Sequence, residues 1–141
     1  MNVRLVLTLS LFGLLVGLGS ITGLVPSGWE TALWGVIGLI YAGVLARQAP
    51  GKFFLHGFVT GFIAGAISIL CQALFLNQYV AHNAKAADVF KSLPPGMPPA
   101  VFLVLAAPIW AAVFGASTGL VTWLWARFTR PKPAAPAAPA A

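Results

Sequence analysis

The stretch that decides the fold is FFLHGFVTGFIAGAISILCQALFLNQYV, Phe53 to Val80. It carries two rows at four-residue spacing, one of glycine and one of polar or small residues: Gly57, Gly61 and Gly65, and His56, Thr60, Ala64, Ser68 and Gln72. A four-residue step drifts only about 40° around an α-helix, so the rows lie side by side on one face. Small residues let a neighbouring membrane helix approach closely, and polar side chains then hydrogen-bond across the contact. The stretch predicts a membrane helix whose row-bearing face packs against another helix.

The composition of the whole chain supports residence in lipid. Of its 141 residues, 60% are hydrophobic and 7% are charged, whereas soluble domains carry about 25% charged residues. A membrane-spanning helix needs about 20 mostly apolar residues, and four such runs are present. The net charge of +6 comes from basic residues at the ends of these runs, which is typical of membrane topology and not of nucleic-acid binding. We expect an all-α fold, an integral membrane four-helix bundle.

The four runs define the expected domain organisation. We expect spans at about 5–25, 29–46, 53–80 and 101–128, which together form one transmembrane domain over residues 1–130. Residues 83–99 are expected to form an extracytoplasmic loop with a short surface helix. The Pro/Ala-rich tail, residues 131–141, has nothing apolar to bury and is expected to be disordered. A cleaved signal peptide is the alternative interpretation of the first run.

Small residues also recur at four-residue spacing in two other spans. Gly13 and Gly17 occupy the first span, and Ala111, Gly115 and Gly119 occupy the fourth. We predict that these positions and the glycine row of the third span are helix-packing residues.

The distribution of Lys and Arg predicts the topology. Six of them fall on one side of the four spans and two, Lys85 and Lys91, on the other; the six are Arg4, Arg47, Lys52, Arg127, Arg130 and Lys132. Basic residues concentrate on the cytoplasmic side. We therefore expect two helical hairpins with both termini in the cytoplasm.

Glu30 is one of only two carboxylates in the chain. Ser27 precedes it by three residues, a spacing typical of a capping box at the start of a helix. A proton- or cation-binding role is the alternative for Glu30. Neither carboxylate lies inside an apolar run, where ion-coupled carriers usually keep one, and no set of positioned acids, bases or nucleophiles is apparent. The sequence predicts no enzymatic activity and no catalytic residue.

His56 and Cys71 are the remaining candidates for ligand chemistry. A histidine inside a membrane helix can ligate haem or a chlorophyll-type pigment, but hydrogen bonding to a neighbouring helix or to lipid head groups is the simpler interpretation of His56. Cys71 is the only cysteine, so a multi-cysteine metal site cannot form within one chain. We predict no cofactor and no metal site, and we retain haem or pigment binding by His56 as an alternative.

The order of features from Arg47 to Phe90 resembles a family of small bacterial four-helix membrane proteins of unknown function. A short basic turn is followed by a glycine-bearing span, by the polar stretch Asn77-Gln78-Tyr79 and by a short surface helix. The resemblance implies a bacterial inner (cytoplasmic) membrane location and no known activity.

These features favour a non-enzymatic accessory or assembly subunit of a larger membrane complex. Its partners would be the lipid bilayer and other membrane proteins or further copies of the chain, with no nucleic acid. The first alternative is a homo-oligomeric channel or carrier for a small solute, its path lined by polar residues of the third and fourth spans: Thr60, Ser68, Gln72, Ser117, Thr118 and Thr122. The second alternative is the haem- or pigment-binding subunit.

Overall fold

The structure, a computed structural model, describes residues 1–130. In this range every regular element is an α-helix. The helices are α1 (Val3–Ser10), α2 (Phe12–Thr22), α3 (Glu30–Gln48), α4 (Phe53–Leu74), α5 (Leu76–His82), α6 (Ala84–Lys91) and α7 (Pro99–Thr129). The expected tail, residues 131–141, and with it Lys132 lie outside the described residues.

Four helical segments are long and apolar enough to cross a membrane: Val3–Thr22, Glu30–Gln48, Phe53–Leu74 and Pro99–Thr129. The first comprises α1 and α2, which continue one another across Leu11. The predicted all-helical fold with four apolar spans is therefore confirmed, with boundaries that differ by a few residues at most ends. Pro108 lies inside α7, which continues through it as one helix.

The third span is shorter than its hydrophobic run suggests. We expected one helix from Phe53 to Val80, but α4 ends at Leu74 and α5 begins at Leu76. The backbone of Phe75, with φ −113° and ψ 41°, leaves the helical region between them. After this break, Tyr79 of α5 and Asn83, which follows α5, are buried. The interruption of the helix at Phe75 therefore brings these two polar side chains toward the start of α3.

The start of α3 does not form the predicted capping box. Trp29 occupies the cap position, and no side chain caps this helix. The Ser27 hydroxyl instead donates to the Asn83 side-chain oxygen at 3.1 Å, and Glu30 accepts from the Asn83 amide at 3.0 Å. The prediction is wrong because Asn83, distant in sequence, engages both members of the local motif.

α4 is the central helix of the bundle. Its most extensive contact is with α7, and α2, α1 and α3 cover its other sides. α3 packs chiefly against α7, and Ile37, Tyr41 and Leu45 of α3 join Leu9 of α1 in the largest buried apolar cluster. The Tyr41 hydroxyl donates to the Leu9 carbonyl at 2.9 Å.

Contacts at the helix ends place the two ends of the described chain together. The Asn2 amide reaches His56 near the start of α4, and Arg130 reaches the carbonyls at the end of α3. Residues 2 and 130 therefore lie at the end of the bundle that also holds the turn between α3 and α4. The opposite end holds the turn at Pro26, together with α5 and α6.

Candidate functional site

The most extensive helix contact joins α4 to α7 through the predicted small-residue rows. Gly57, Gly61 and Gly65 lie against the segment of α7 that carries Ala111, Gly115 and Gly119. A Cβ at Gly115 would lie 2.7 Å from the Phe58 carbonyl oxygen, and one at Gly119 would lie 2.7 Å from the Phe54 carbonyl oxygen. Real Cβ atoms do not approach backbone so closely, so only glycine fits at these positions.

The glycines of α2 face α4 in the same way. A Cβ added to Gly13 would overlap the Ala64 backbone, and one at Gly17 would lie 3.2 Å from the Ser68 Cα. One helical turn before this contact begins, the Ser10 hydroxyl lies 3.2 Å from the Thr60 carbonyl oxygen. The two predicted positions of the first span thus lie at a contact inside the chain.

His56 is buried, with 1% of its surface exposed, and both of its ring nitrogens have partners. Nε2 lies 3.0 Å from the Asn2 backbone nitrogen, which donates to it. Nδ1 lies 3.1 Å from the Lys52 carbonyl oxygen. Because an N–H donates to Nε2, the ring is neutral with its proton on Nδ1. A haem or pigment metal could bind His56 only after one of these contacts broke.

The polar residues proposed for a solute path divide into two groups. Thr60, Thr118 and Thr122 are buried at helix contacts, where Thr122 donates to the carbonyl of Thr118 at 2.7 Å. Among residues 1–130, the hydroxyls of Thr60 and Thr118 have no hydrogen-bond partner. The other members, Ser68, Gln72 and Ser117, line a cavity between α3, α4 and α7.

This cavity, the α3–α4–α7 cavity, has a volume of about 440 Å³. Its polar lining includes Ser68, Gln72, Glu30 and Tyr79, together with Thr31 and Ser117. Ser68 and Gln72 are 2% and 7% exposed; the Ser68 hydroxyl has no partner, and the Gln72 amide forms no hydrogen bond with the described residues. The remaining wall is largely apolar and aromatic, with contributions from Trp34, Phe102, Leu103, Trp110, Val113 and Phe114.

Asn83 holds the polar end of the cavity in place. Its amide donates to Glu30 at 3.0 Å and to the Tyr79 hydroxyl at 3.4 Å. Its side-chain oxygen accepts from the Ala86 amide, which caps α6, and from the Ser27 hydroxyl. Burial raises the pKa of Tyr79, and the Glu30 carboxylate raises it further, so the phenol remains protonated at neutral pH. Glu30 retains one oxygen that has no hydrogen-bond partner among residues 1–130.

Asn83 and Arg130 are the structurally important polar residues that sequence reasoning missed. Arg130 donates from Nε to the Ala46 carbonyl at 2.7 Å and from a terminal nitrogen to the Ala49 carbonyl at 2.8 Å. Its guanidinium also lies 4.5 Å from the centre of the Phe53 ring. The sequence indicated a topological role for Arg130, and only its distant partners reveal that it ties α7 to the end of α3.

Comparison with protein-family models, with curated proteins and with solved structures finds no match for this chain. The resemblance to small bacterial inner-membrane proteins therefore stays a prediction. Within residues 1–130, no group of three or more His, Cys, Asp and Glu side chains could hold a metal ion. The residues brought together are those of a packed bundle with one polar-ended cavity.

Proposed function

We propose that the chain is a non-enzymatic integral membrane protein that serves as an accessory or assembly subunit of a larger membrane complex. It would cross a bacterial inner membrane four times with both termini in the cytoplasm. Four long apolar helices support residence in the membrane. Basic residues at the bundle end that holds residues 2 and 130 support this orientation, because cytoplasmic segments are enriched in Lys and Arg.

The observation that carries the proposal is the open glycine surface of α3. A Cβ added to Gly35, Gly38 or Gly43 would meet no atom of residues 1–130 within 4 Å, whereas the packing glycines of α2, α4 and α7 are closed by neighbours. Gly35 and Gly38 border a groove of about 240 Å³ between α3 and α7. Small residues on a membrane helix favour close approach of another helix. The occupant we propose is a transmembrane helix of a different protein.

The groove has the dimensions and chemistry of a helix-docking surface. Trp34, Leu39, Phe114 and Val121 form its apolar borders, and Val36 and Leu39 are about half exposed beside it. A partner helix that crossed α3 at Gly35 could insert its own side chains between these borders. No side chain of α3 would have to move, because Gly35 has none. Van der Waals packing of this kind drives association where the lipid offers no hydrophobic gain.

Site-specific photocrosslinking in native membranes tests this proposal. A benzoylphenylalanine in place of Leu39 should give one adduct, identified by mass spectrometry as a second membrane protein. The same probe at Leu15, an exposed residue of α2, should not give that adduct. Gly35→Phe should remove the Leu39 adduct, while Leu15→Phe should leave it intact. An adduct of two copies of this chain, or no adduct, would overturn the assignment to an accessory subunit.

A second candidate function is a channel or carrier for a small solute, and the polar wall of the α3–α4–α7 cavity is what favours it. Gln72→Leu should abolish flux in liposomes, since Gln72 lines the cavity and has no protein partner. Thr118→Leu is a poor test, because Thr118 packs against Gly61 and its replacement would disturb the contact between α4 and α7. Absence of flux with the intact protein would retire this candidate.

A further inference from the structure

We propose that the α3–α4–α7 cavity is a binding site for an amphiphile with an ammonium head group and an apolar body. The proposal rests on the lining of the cavity; it is independent of the accessory-subunit role, and it concerns the same cavity as the candidate solute path. The ammonium group would lie between Glu30 and Gln72, and the apolar body would extend along the aromatic wall formed by α3 and α7.

The polar end of the cavity has unused hydrogen-bonding capacity. Gln72 and Ser68 are more than nine-tenths buried, and neither side chain has a hydrogen-bond partner within residues 1–130. A buried polar group without a hydrogen-bond partner is unfavourable, so these groups favour an occupant that bonds to them. The amide oxygen of Gln72 and the hydroxyl oxygen of Ser68 both accept hydrogen bonds, as an ammonium group requires.

Charge identifies the head group as a cation. Glu30 is the only ionisable acid or base among the lining residues apart from the phenol of Tyr79, and it forms no salt bridge with the described residues. The Lys85 side chain belongs to the same end of the bundle, but its ammonium group lies beside Gly28 and does not form a salt bridge with Glu30. An anionic head group would meet Glu30 without a compensating positive charge, whereas an ammonium would pair with the free carboxylate oxygen.

The aromatic wall suits both parts of such a ligand. Trp34 and Phe114 lie together with ring centres 4.4 Å apart, and Trp110 also lines the cavity. Aromatic faces attract ammonium groups, with tryptophan the strongest. The aromatic rings also provide apolar surface against which an alkyl chain can pack. The volume of about 440 Å³ falls within the range of about 300–1,000 Å³ found for small-molecule sites.

Direct binding to the full-length protein in a nonionic maltoside detergent tests the proposal. Tritiated octylammonium would be titrated onto immobilised protein, with unlabelled 1-octanol and octanoate as competitors of matched chain length. We expect saturable binding that neither competitor displaces at equal concentration. Saturable binding must be distinguished from partition into the micelle, so wild type and variants are compared in the same detergent.

Three variants separate the site from the rest of the protein. Glu30→Gln retains an oxygen for the Asn83 amide and should weaken binding about tenfold or more, because it removes the charge partner. Ala106→Phe should abolish binding by filling the cavity. Asp88→Asn alters the other carboxylate, which is exposed and paired with Lys91 at 2.8 Å, and should leave binding unchanged.

A competition arm identifies the source of the ammonium group. Displacement by dioctanoyl phosphatidylethanolamine, but not by dioctanoyl phosphatidylglycerol, would show that a lipid head group occupies the site. Displacement by neither would assign the site to free lipophilic amines. Equal affinity for octylammonium in wild type and Glu30→Gln, equally strong competition by 1-octanol, or no saturable binding would overturn the proposal.

Discussion

The α4–α7 contact and the groove beside α3 use glycine in opposite ways. In the α4–α7 contact, a Cβ on Gly61 would lie 2.8 Å from the Thr118 hydroxyl oxygen and 3.0 Å from the Gly115 Cα. On α3, a Cβ on Gly35 or Gly38 would meet nothing within 4 Å. The same residue type at helical spacing therefore marks a completed contact in one region and an open surface in the other.

The two regions also differ in what holds them. The backbones of α4 and α7 approach each other closely along several helical turns. α3 is tied at its ends by polar side chains, with Asn83 bonded to Glu30 at the start and Arg130 bonded to Ala46 at the end. In its first half, Trp34 of α3 packs against Phe114 of α7, and this residue lines both the α3–α4–α7 cavity and the groove between α3 and α7. The difference separates a closely packed pair, α4 and α7, from an α3 that has more open surface.

The largest expected effect on stability comes from disrupting the close contact between α4 and α7. Gly115→Ala should destabilise the protein by about 1–3 kcal/mol, the usual cost of overpacking, because the new methyl group meets the Phe58 carbonyl. Reversible unfolding in mixed micelles measures the change. If Gly115→Ala unfolds at the same denaturant concentration as wild type, α4 and α7 are farther apart at Gly115 than the distance to the Phe58 carbonyl indicates.

Asn83→Ala should remove the tie at the start of α3. It leaves Glu30 without its donor and deletes the cap of α6, and we expect a cost of about 1–2 kcal/mol. Asn77→Ala, an exposed asparagine on α5, is the matched control and should cost less. Hydrogen exchange should increase at the first turn of α3 in the Asn83 variant; equal exchange in both variants would contradict this role.

Arg130→Ala should loosen the other end of α3 by about 1 kcal/mol, because it removes charged hydrogen bonds to two carbonyls and a cation–π contact. Arg127→Ala removes an exposed arginine that stacks on Trp123 at 5.5 Å and should have a smaller effect. Thermal unfolding of the two variants in one detergent tests the difference, and an equal shift would mean that the carbonyl contacts of Arg130 contribute nothing.

The smallest expected effect on stability is that of a substitution on the open glycine surface of α3. Gly35→Ala should leave stability unchanged or raise it by about 0.5–1 kcal/mol, since alanine favours helix over glycine and the new methyl group meets no atom of residues 1–130 within 4 Å. Measured beside Gly115→Ala, it gives a direct comparison of the two regions. Destabilisation by more than that amount would show that α3 packs more closely against α7 than the groove indicates.

Much of the fold could be predicted because helices long and apolar enough to cross a membrane are recognised by short-range rules of length and composition. About 20 apolar residues are needed for each span, and these runs are visible from Leu5 onward. The four-residue rows on the third and fourth spans indicated helix faces suited to close packing. The predicted helix through Phe75 and the capping box of Ser27 and Glu30 differed from the structure, since distant contacts outweighed the local pattern at both sites.

The sequence by itself determined the number of apolar helices, the side of each helix that carries small residues and the ends at which basic residues collect. These properties follow from residue type and spacing along one helix. Only the tertiary structure decided that the rows of α4 and α7 close on one another, that the glycines of α3 remain open, and that Asn83 joins Glu30. The reason is that occupancy of a helix face depends on which helix lies opposite, and that neighbour is set by the packing of the whole bundle.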